Sequence, residues 1–139
     1  MNDIHKDREE ERKIELRNLR YEDYLDLNAA MSEAYSGMGG DQWQRTALKR
    51  LLKVFAEGQI CILVDGKVVA SALTIIVDYK KFGDRHTYEQ ITANESFTTH
   101  DPDGDVLYGI EMFVHPDYRG MRLGRRLYDA RKELCDRLN

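Results

Sequence analysis

The chain has 139 residues, of which 42% are hydrophobic and 33% charged, with a formal net charge of −4. That is one domain's worth, with enough apolar residues for a real core. The acidic balance gives a nucleic-acid role no global electrostatic support, and no apolar run approaches the length of a membrane span.

Residues 1–12 are almost wholly polar, with charges of both signs, and cannot bury a face. They read as a tail, disordered or a marginal first helical turn, ahead of a single domain over 13–139; no secretory apolar stretch is present. Ile14, Glu15 and Leu16 alternate and predict a short first strand. From Tyr21 the period changes: Tyr24, Leu27, Ala30, Met31 and Ala34 mark one face of a helix. The run Ser36, Gly37, Met38, Gly39, Gly40 ends it. Asp41 is the expected N-cap of a second helix whose buried stripe is Trp43, Ala47, Leu48, Leu51, Leu52 and Phe55, closed by Gly58.

Two apolar runs, 60–64 and 68–79, flank Asp65-Gly66, a strong short-range hairpin signal because both turn positions need positive φ. The runs are nearly continuous in apolar residues, so both faces of the sheet should be covered. Simple alternation puts Val69, Ser71, Leu73 and Ile75 on one face and Ala70, Ala72, Thr74 and Ile76 on the other. Segment 80–100 is less regular, with Tyr79, Phe82, Tyr88 and Phe97 spread among polar residues and a possible short helix at 88–93. It is either a surface insertion packed by its own aromatics or a lid over a binding site.

Asp101, Asp103 and Asp105 have the opening spacing of a calcium loop. The sixth position is Val106 instead of glycine and the twelfth is Met112, which cannot chelate, so an Asx-rich turn is the better account and no metal is expected. Cys61 and Cys135 lie in apolar and helical patterns without metal-ligand spacing, which suits packing residues in a reducing cytoplasm. Residues 107–114 form an apolar strand in which Tyr108 reads as core. His115, Pro116 and Asp117 break it, since proline cannot continue a ladder. Leu123, Leu127, Ala130, Leu134 and Leu138 then repeat at helical spacing.

The last three pieces read as strand, tight basic loop, helix. A helix N-terminus offers unpaired N–H groups and a partial positive charge, a combination that binds phosphate, and glycines let the backbone approach it. Arg119, Arg122, Arg125 and Arg126 crowd that end although cations there oppose the helix dipole, so a bound polyanion would explain them. The segment Arg119-Gly120-Met121-Arg122-Leu123-Gly124 resembles the acetyl-CoA pyrophosphate loop of the GNAT N-acetyltransferases: arginine or glutamine, two residues, glycine, one residue, then glycine or alanine. Val-His-Pro-Asp-Tyr-Arg-Gly at 114–120 is similar to a common lead-in to that loop. One position departs, because Arg122 stands where the first motif glycine is usual.

The resemblance implies an α/β (α+β) fold with a mixed, mostly antiparallel sheet flanked by helices, in the order β-α-α-β-β-β-α. It further implies acetyl transfer from acetyl-CoA to a small-molecule or peptide amine. Arg119, Gly120, Met121, Arg122, Leu123, Gly124 and Arg125 would hold the pyrophosphate, and the main chain of Met112, Phe113 and Val114 would pair with the pantetheine arm. Glu111 is the only acid inside that strand and is the candidate general base; its other reading is a solvent-facing or ion-paired strand residue. His115 is a second candidate, or simply a strand end. In this family the opening helices help shape the acceptor site.

Members usually continue with a further strand, a helix and two closing strands, which sequence 1–139 does not contain. The expectation is therefore the N-terminal part of such a domain, a truncated piece or one completed by a fused C-terminal domain or a second copy. The wording at 14–19 and 118–139 is also similar to bacterial two-domain proteins in which a GNAT domain precedes a nitrilase-like carbon–nitrogen hydrolase. The competing class is a non-catalytic CoA-binding or scaffold domain of such a protein.

Overall fold

A computed structural model describes residues 12–35 and 43–138. Within it, β1 (Ile14–Asn18) is followed by α1 (Tyr24–Ala34), α2 (Arg45–Phe55), β2 (Ile60–Val64), β3 (Lys67–Val77), the short α3 (Tyr88–Thr92), β4 (Val106–Val114) and α4 (Leu123–Leu138). The four strands form one sheet in the order β1-β2-β3-β4, with every neighbouring pair antiparallel. This is the expected α+β architecture, with β4 at an edge of the described sheet. The tail over 1–11, the glycine-rich loop and the Asp41 cap lie outside the described residues.

Both faces of the sheet are covered, as the continuous apolar runs require. One face packs Leu27, Ala30 and Met31 of α1 and Ala47, Leu48 and Leu51 of α2 against Cys61, Leu63, Leu73 and Ile75. The other packs Leu123 and Leu127 of α4 against Ile60, Ile62, Val69 and Ala72. Burying a side chain of this size contributes roughly 1.5–3 kcal/mol, so these two layers supply most of the drive to fold. Leu138 departs from the expected stripe and is exposed at the end of α4. Trp43 belongs to the core but precedes α2, stacking on Phe97 with ring centroids 5.7 Å apart.

Asp65 and Gly66 form the expected tight turn with φ of 52° and 84°. The predicted faces of β3 fail at one residue. Ile62 pairs with Ala70 while Leu63 pairs with Val68, so Val69 is an extra, bulged residue. Val68 faces α1 and α2, and Val69 joins Ala70 and Ala72 under α4, where alternation alone would have put it with Leu73. A second irregularity lies in β4: Leu73 pairs with Glu111 and Thr74 with Gly109, leaving Ile110 as the extra residue.

Segment 80–100 is more than a surface insertion. Thr87 caps α3 through a reciprocal capping box with Gln90, and Ile91 and Phe97 are fully buried in the main core. The acidic turn after it behaves as an Asx turn, with Asp101 accepting from the amide of Asp103 at 2.9 Å.

Arg17 of β1 grips Asp23 in a two-pronged ion pair, with N–O distances of 2.7 and 2.9 Å, and Asp23 also accepts from the Arg20 amide at 2.8 Å. Burial alone would raise the Asp23 carboxyl, but the Arg17 and Arg20 bonds outweigh it and hold the group below the usual carboxylate range. Replacing Asp23 by alanine is expected to lower the unfolding free energy by about 2 kcal/mol, because a mostly enclosed guanidinium loses its carboxylate partner and keeps only the Asn18 carbonyl as an oxygen acceptor. A carboxyl depressed in the folded state adds stability above its unfolded value, and that stability is lost as pH falls through about 4 and below. Urea denaturation at pH 7 and pH 3 should therefore show a smaller gap between parent and variant at the lower pH.

Candidate functional site

The loop between β4 and α4 is not a continuation of the helix. His115 starts it: its Nδ1 accepts from the Asp117 amide at 3.1 Å, and its own amide donates to the Val69 carbonyl at 2.7 Å. The buried imidazole thus terminates the strand and caps the following turn, and this is the reading of the two that its geometry favours. Tyr118 and Arg119 donate back to His115 and Pro116, and the chain then changes hand. Gly120 has φ of 92° and Arg122 has φ of 60°. The position where glycine is usual in the motif therefore takes a glycine-like conformation, with arginine in it.

From Gly120 to the first turn of α4, the amides of Gly120, Met121, Arg122, Leu123, Gly124 and Arg125 have no acceptor among the described residues; Arg126 is the first to donate, to the Arg122 carbonyl at 3.2 Å. The side chains of Arg119, Arg122, Arg125 and Arg126 are exposed, and none has an acidic partner among the described residues. The first turn of α4 carries no acidic residue. Together these make a run of donors at the positive end of a sixteen-residue helix, an arrangement able to take a polyanion.

Left-handed backbone costs a non-glycine residue about 1–2 kcal/mol, partly offset for glycine by its larger unfolded-state entropy. Replacing Arg122 by glycine is therefore expected to raise the unfolding free energy by about 0.5 kcal/mol, a gain readable by chemical denaturation.

Glu111 lies on β4 beside the bulge at Ile110, which re-aims the strand there. It is not freely solvated, and among the described residues it has no ion-pair partner: its carboxylate accepts a hydrogen bond from the Tyr35 hydroxyl, and that hydroxyl also lies 3.3 Å from the Met112 carbonyl. Tyr35 follows the last turn of α1 and is the functional candidate that sequence reasoning missed. Burial raises the Glu111 carboxyl above the ordinary glutamate range, and the Tyr35 bond only partly opposes it. Tyr35 is itself held well above the ordinary phenol value, by burial first and then by Glu111.

Segment 80–100 reaches the same neighbourhood. The Tyr88 hydroxyl donates to Glu95 at 3.3 Å, and its phenol is raised by burial and then by Glu95, with Glu111 a smaller contributor. Ala93, Asn94, Glu95 and Phe97 all have positive φ, between 52° and 62°, a strained backbone that the burial of Phe97 in the core helps to hold.

Of the remaining predicted residues, Phe113 is buried in the core, Met112 is exposed and Val114 is partly buried at the far end of β4. Tyr108 is partly buried and pairs with His86 at 2.8 Å. Cys61 is fully buried and its thiol is pushed up to about 12 by burial, so it is a packing group and not a nucleophile. Among the described residues there is no group of three potential metal ligands, and no helix is long and apolar enough to cross a membrane.

An antiparallel sheet with helices on both faces, one strand running through a glycine-containing loop into a helix, is the acetyltransferase class of fold. The family model for the acetyltransferase (GNAT) family matches residues 15–139, and the chain belongs to that family. It is 39% identical over 129 residues to the probable hydrolase YhcX of Bacillus subtilis, covering 93% of this chain and 25% of that protein. It is 34% identical over 92 residues to the uncharacterized N-acetyltransferase YkwB of the same organism, covering 66% of this chain and 41% of that one. Its fold is like that of the loading GNATL domain of CurA from Lyngbya majuscula, with a TM-score of 0.73 at 22% identity over 88% of this chain and 58% of that one. The chain thus spans well under two thirds of the length of each.

Proposed function

We propose that the chain is an acetyl-CoA-dependent N-acetyltransferase acting on a primary amine. The observation that carries this reading is the unbroken run of unaccepted amides from Gly120 to Arg125, set among four arginines without acidic partners. A pyrophosphate supplies the missing acceptors, and Arg119 and Arg122 neutralise its charge. β4 is an edge strand, and its main chain at Met112, Phe113 and Val114 is available to the amides of a pantetheine arm. The thioester supplies the acetyl group. Glu111 accepts a proton from the incoming ammonium, freeing the nitrogen lone pair for the carbonyl carbon; a new C–N bond forms, the C–S bond breaks, and the second proton lost by the acylated nitrogen goes to the departing thiolate, which leaves as the thiol.

Membership of the acetyltransferase family and the likeness to YkwB support acyl transfer. Two free cysteines, one buried, suit a reducing cytoplasm. The edge of β4 suits completion by a further strand, from a fused domain or a second copy. The test is a thiol-release assay with acetyl-CoA and a panel of small amines and peptide N-termini, alongside calorimetry with CoA. Saturable CoA binding and amine-dependent release of thiol support the reading; no CoA binding at millimolar concentration overturns it.

A second reading is a non-catalytic CoA-binding or scaffold domain within a larger hydrolase. The similarity to a probable hydrolase four times the length of the matched region favours it. It gives CoA binding without thiol release for any amine.

A further inference from the structure

Tyr35 has one hydroxyl proton and two acceptors within reach: the Glu111 carboxylate, to which it donates, and the Met112 carbonyl at 3.3 Å. A half-buried carboxyl that cycles between charged and neutral forms is best held by a partner able to serve both, because a polar group screened from water is costly to leave unsatisfied in either state. A phenol can do so. With Glu111 ionised, the hydroxyl donates to it. Once Glu111 carries a proton, the carboxyl donates to the phenol oxygen and the hydroxyl turns to the Met112 carbonyl. No proton is gained or lost by Tyr35, and the Glu111 carboxyl keeps a hydrogen bond in both of its states.

We propose that Tyr35 is the positioning residue for Glu111, a rotor that keeps the carboxyl aimed and hydrogen-bonded in both protonation states. The idea rests on the reading of Glu111 as general base. The contact is long-range in sequence, 76 residues, and it ties the end of α1 to the strand that ends in the anion-binding loop. Few other charges compete for the carboxyl. Leu73, its register partner on β3, is apolar and fully buried. Tyr88 of α3 faces it and is itself bonded to Glu95, with Glu89 close behind. Arg131 of α4 reaches the neighbouring Met112, with its Nη1 3.8 Å from the sulfur. The hydroxyl of Tyr35 is thus the one direct donor to the ionised form among the described residues, and its loss should be felt by that form most.

The test uses the whole chain with carbon-13-labelled glutamate carboxyls, titrated by NMR in the parent and in Tyr35→Phe, with Glu111→Gln to assign the Glu111 signal. In folded Tyr35→Phe the Glu111 midpoint should rise by about one pH unit, the size of one lost charge-assisted hydrogen bond. With the best amine of the panel, the acidic limb of the rate profile should move up by the same amount while the KM for acetyl-CoA stays put. A folded variant with an unmoved midpoint overturns the proposal.

If Tyr35→Phe fails to fold, the reciprocal measurement decides. Labelled tyrosine in Glu111→Gln should show the Tyr35 phenol dropping back toward its ordinary value, and no drop overturns the proposal. Should Glu111→Gln keep full acetyl transfer, the base reading fails by itself, whatever the titration of the pair shows.

Discussion

Replacing Glu111 by glutamine is expected to slow acetyl transfer by about 10²–10⁴-fold at neutral pH, the usual contribution of a positioned general base. CoA binding should be unchanged, because the loop that would receive the pyrophosphate lies beyond the end of β4 and does not touch this carboxyl. The parent should show an acidic limb centred above the ordinary glutamate value, since burial raises this carboxyl, and the variant should lack it. Stability moves the other way. A carboxyl raised in the folded state is ionised at a cost, so the parent loses stability as pH rises through that value, and the glutamine variant escapes the loss. Thiol release against pH, paired with urea denaturation, checks both halves. A glutamine variant with parental rates would return Glu111 to the role of an ordinary strand residue.

The second large effect concerns the cradle. Charge-assisted hydrogen bonds contribute about 1.5–3 kcal/mol each. Screening at an exposed loop trims this to about 1 kcal/mol per arginine, so replacing Arg119 and Arg122 together by alanine should weaken CoA by about 30-fold. The parent's affinity should fall as salt rises, and the double variant's should fall less steeply, because fewer charges remain to be screened. Calorimetry at two ionic strengths measures both numbers. Equal affinity in parent and variant would remove the side chains from the site and leave only the amides.

The parts of this molecule legible from sequence are those whose signal is local. Asp65-Gly66 announces a turn because two adjacent positions need positive φ, and they have it. Leu123, Leu127 and Leu134 announce a helix face because their spacing is that of the helix, and all three are buried. The strand, loop and helix around 119–124 carry a pattern dense enough to point to a family, and the family match bears that out. The bulges at Val69 and Ile110 were not legible, since an extra residue in a ladder is set by the partner strand's register. Nor was the turn at 93–97, where left-handed backbone is carried by Ala93, Asn94, Glu95 and Phe97 without a glycine to mark it. Tyr35 was hidden for a different reason. It stands beside a glycine-rich run, where it reads as the last residue of a helix, and its meaning depends on an acid far along the chain.

One strand of this sheet works as a partition. Tyr35, Glu111 and the 88–97 turn gather against α1 and α2, whereas the loop after β4 delivers the chain to α4 and the opposite layer. Variation can accumulate on the first side, in the 88–97 turn, without reaching the loop after β4. On the function proposed above, a lineage built on this plan is free to change its nucleophile while keeping its hold on the acyl donor, and laboratory evolution of new specificity should find its productive substitutions on that one side.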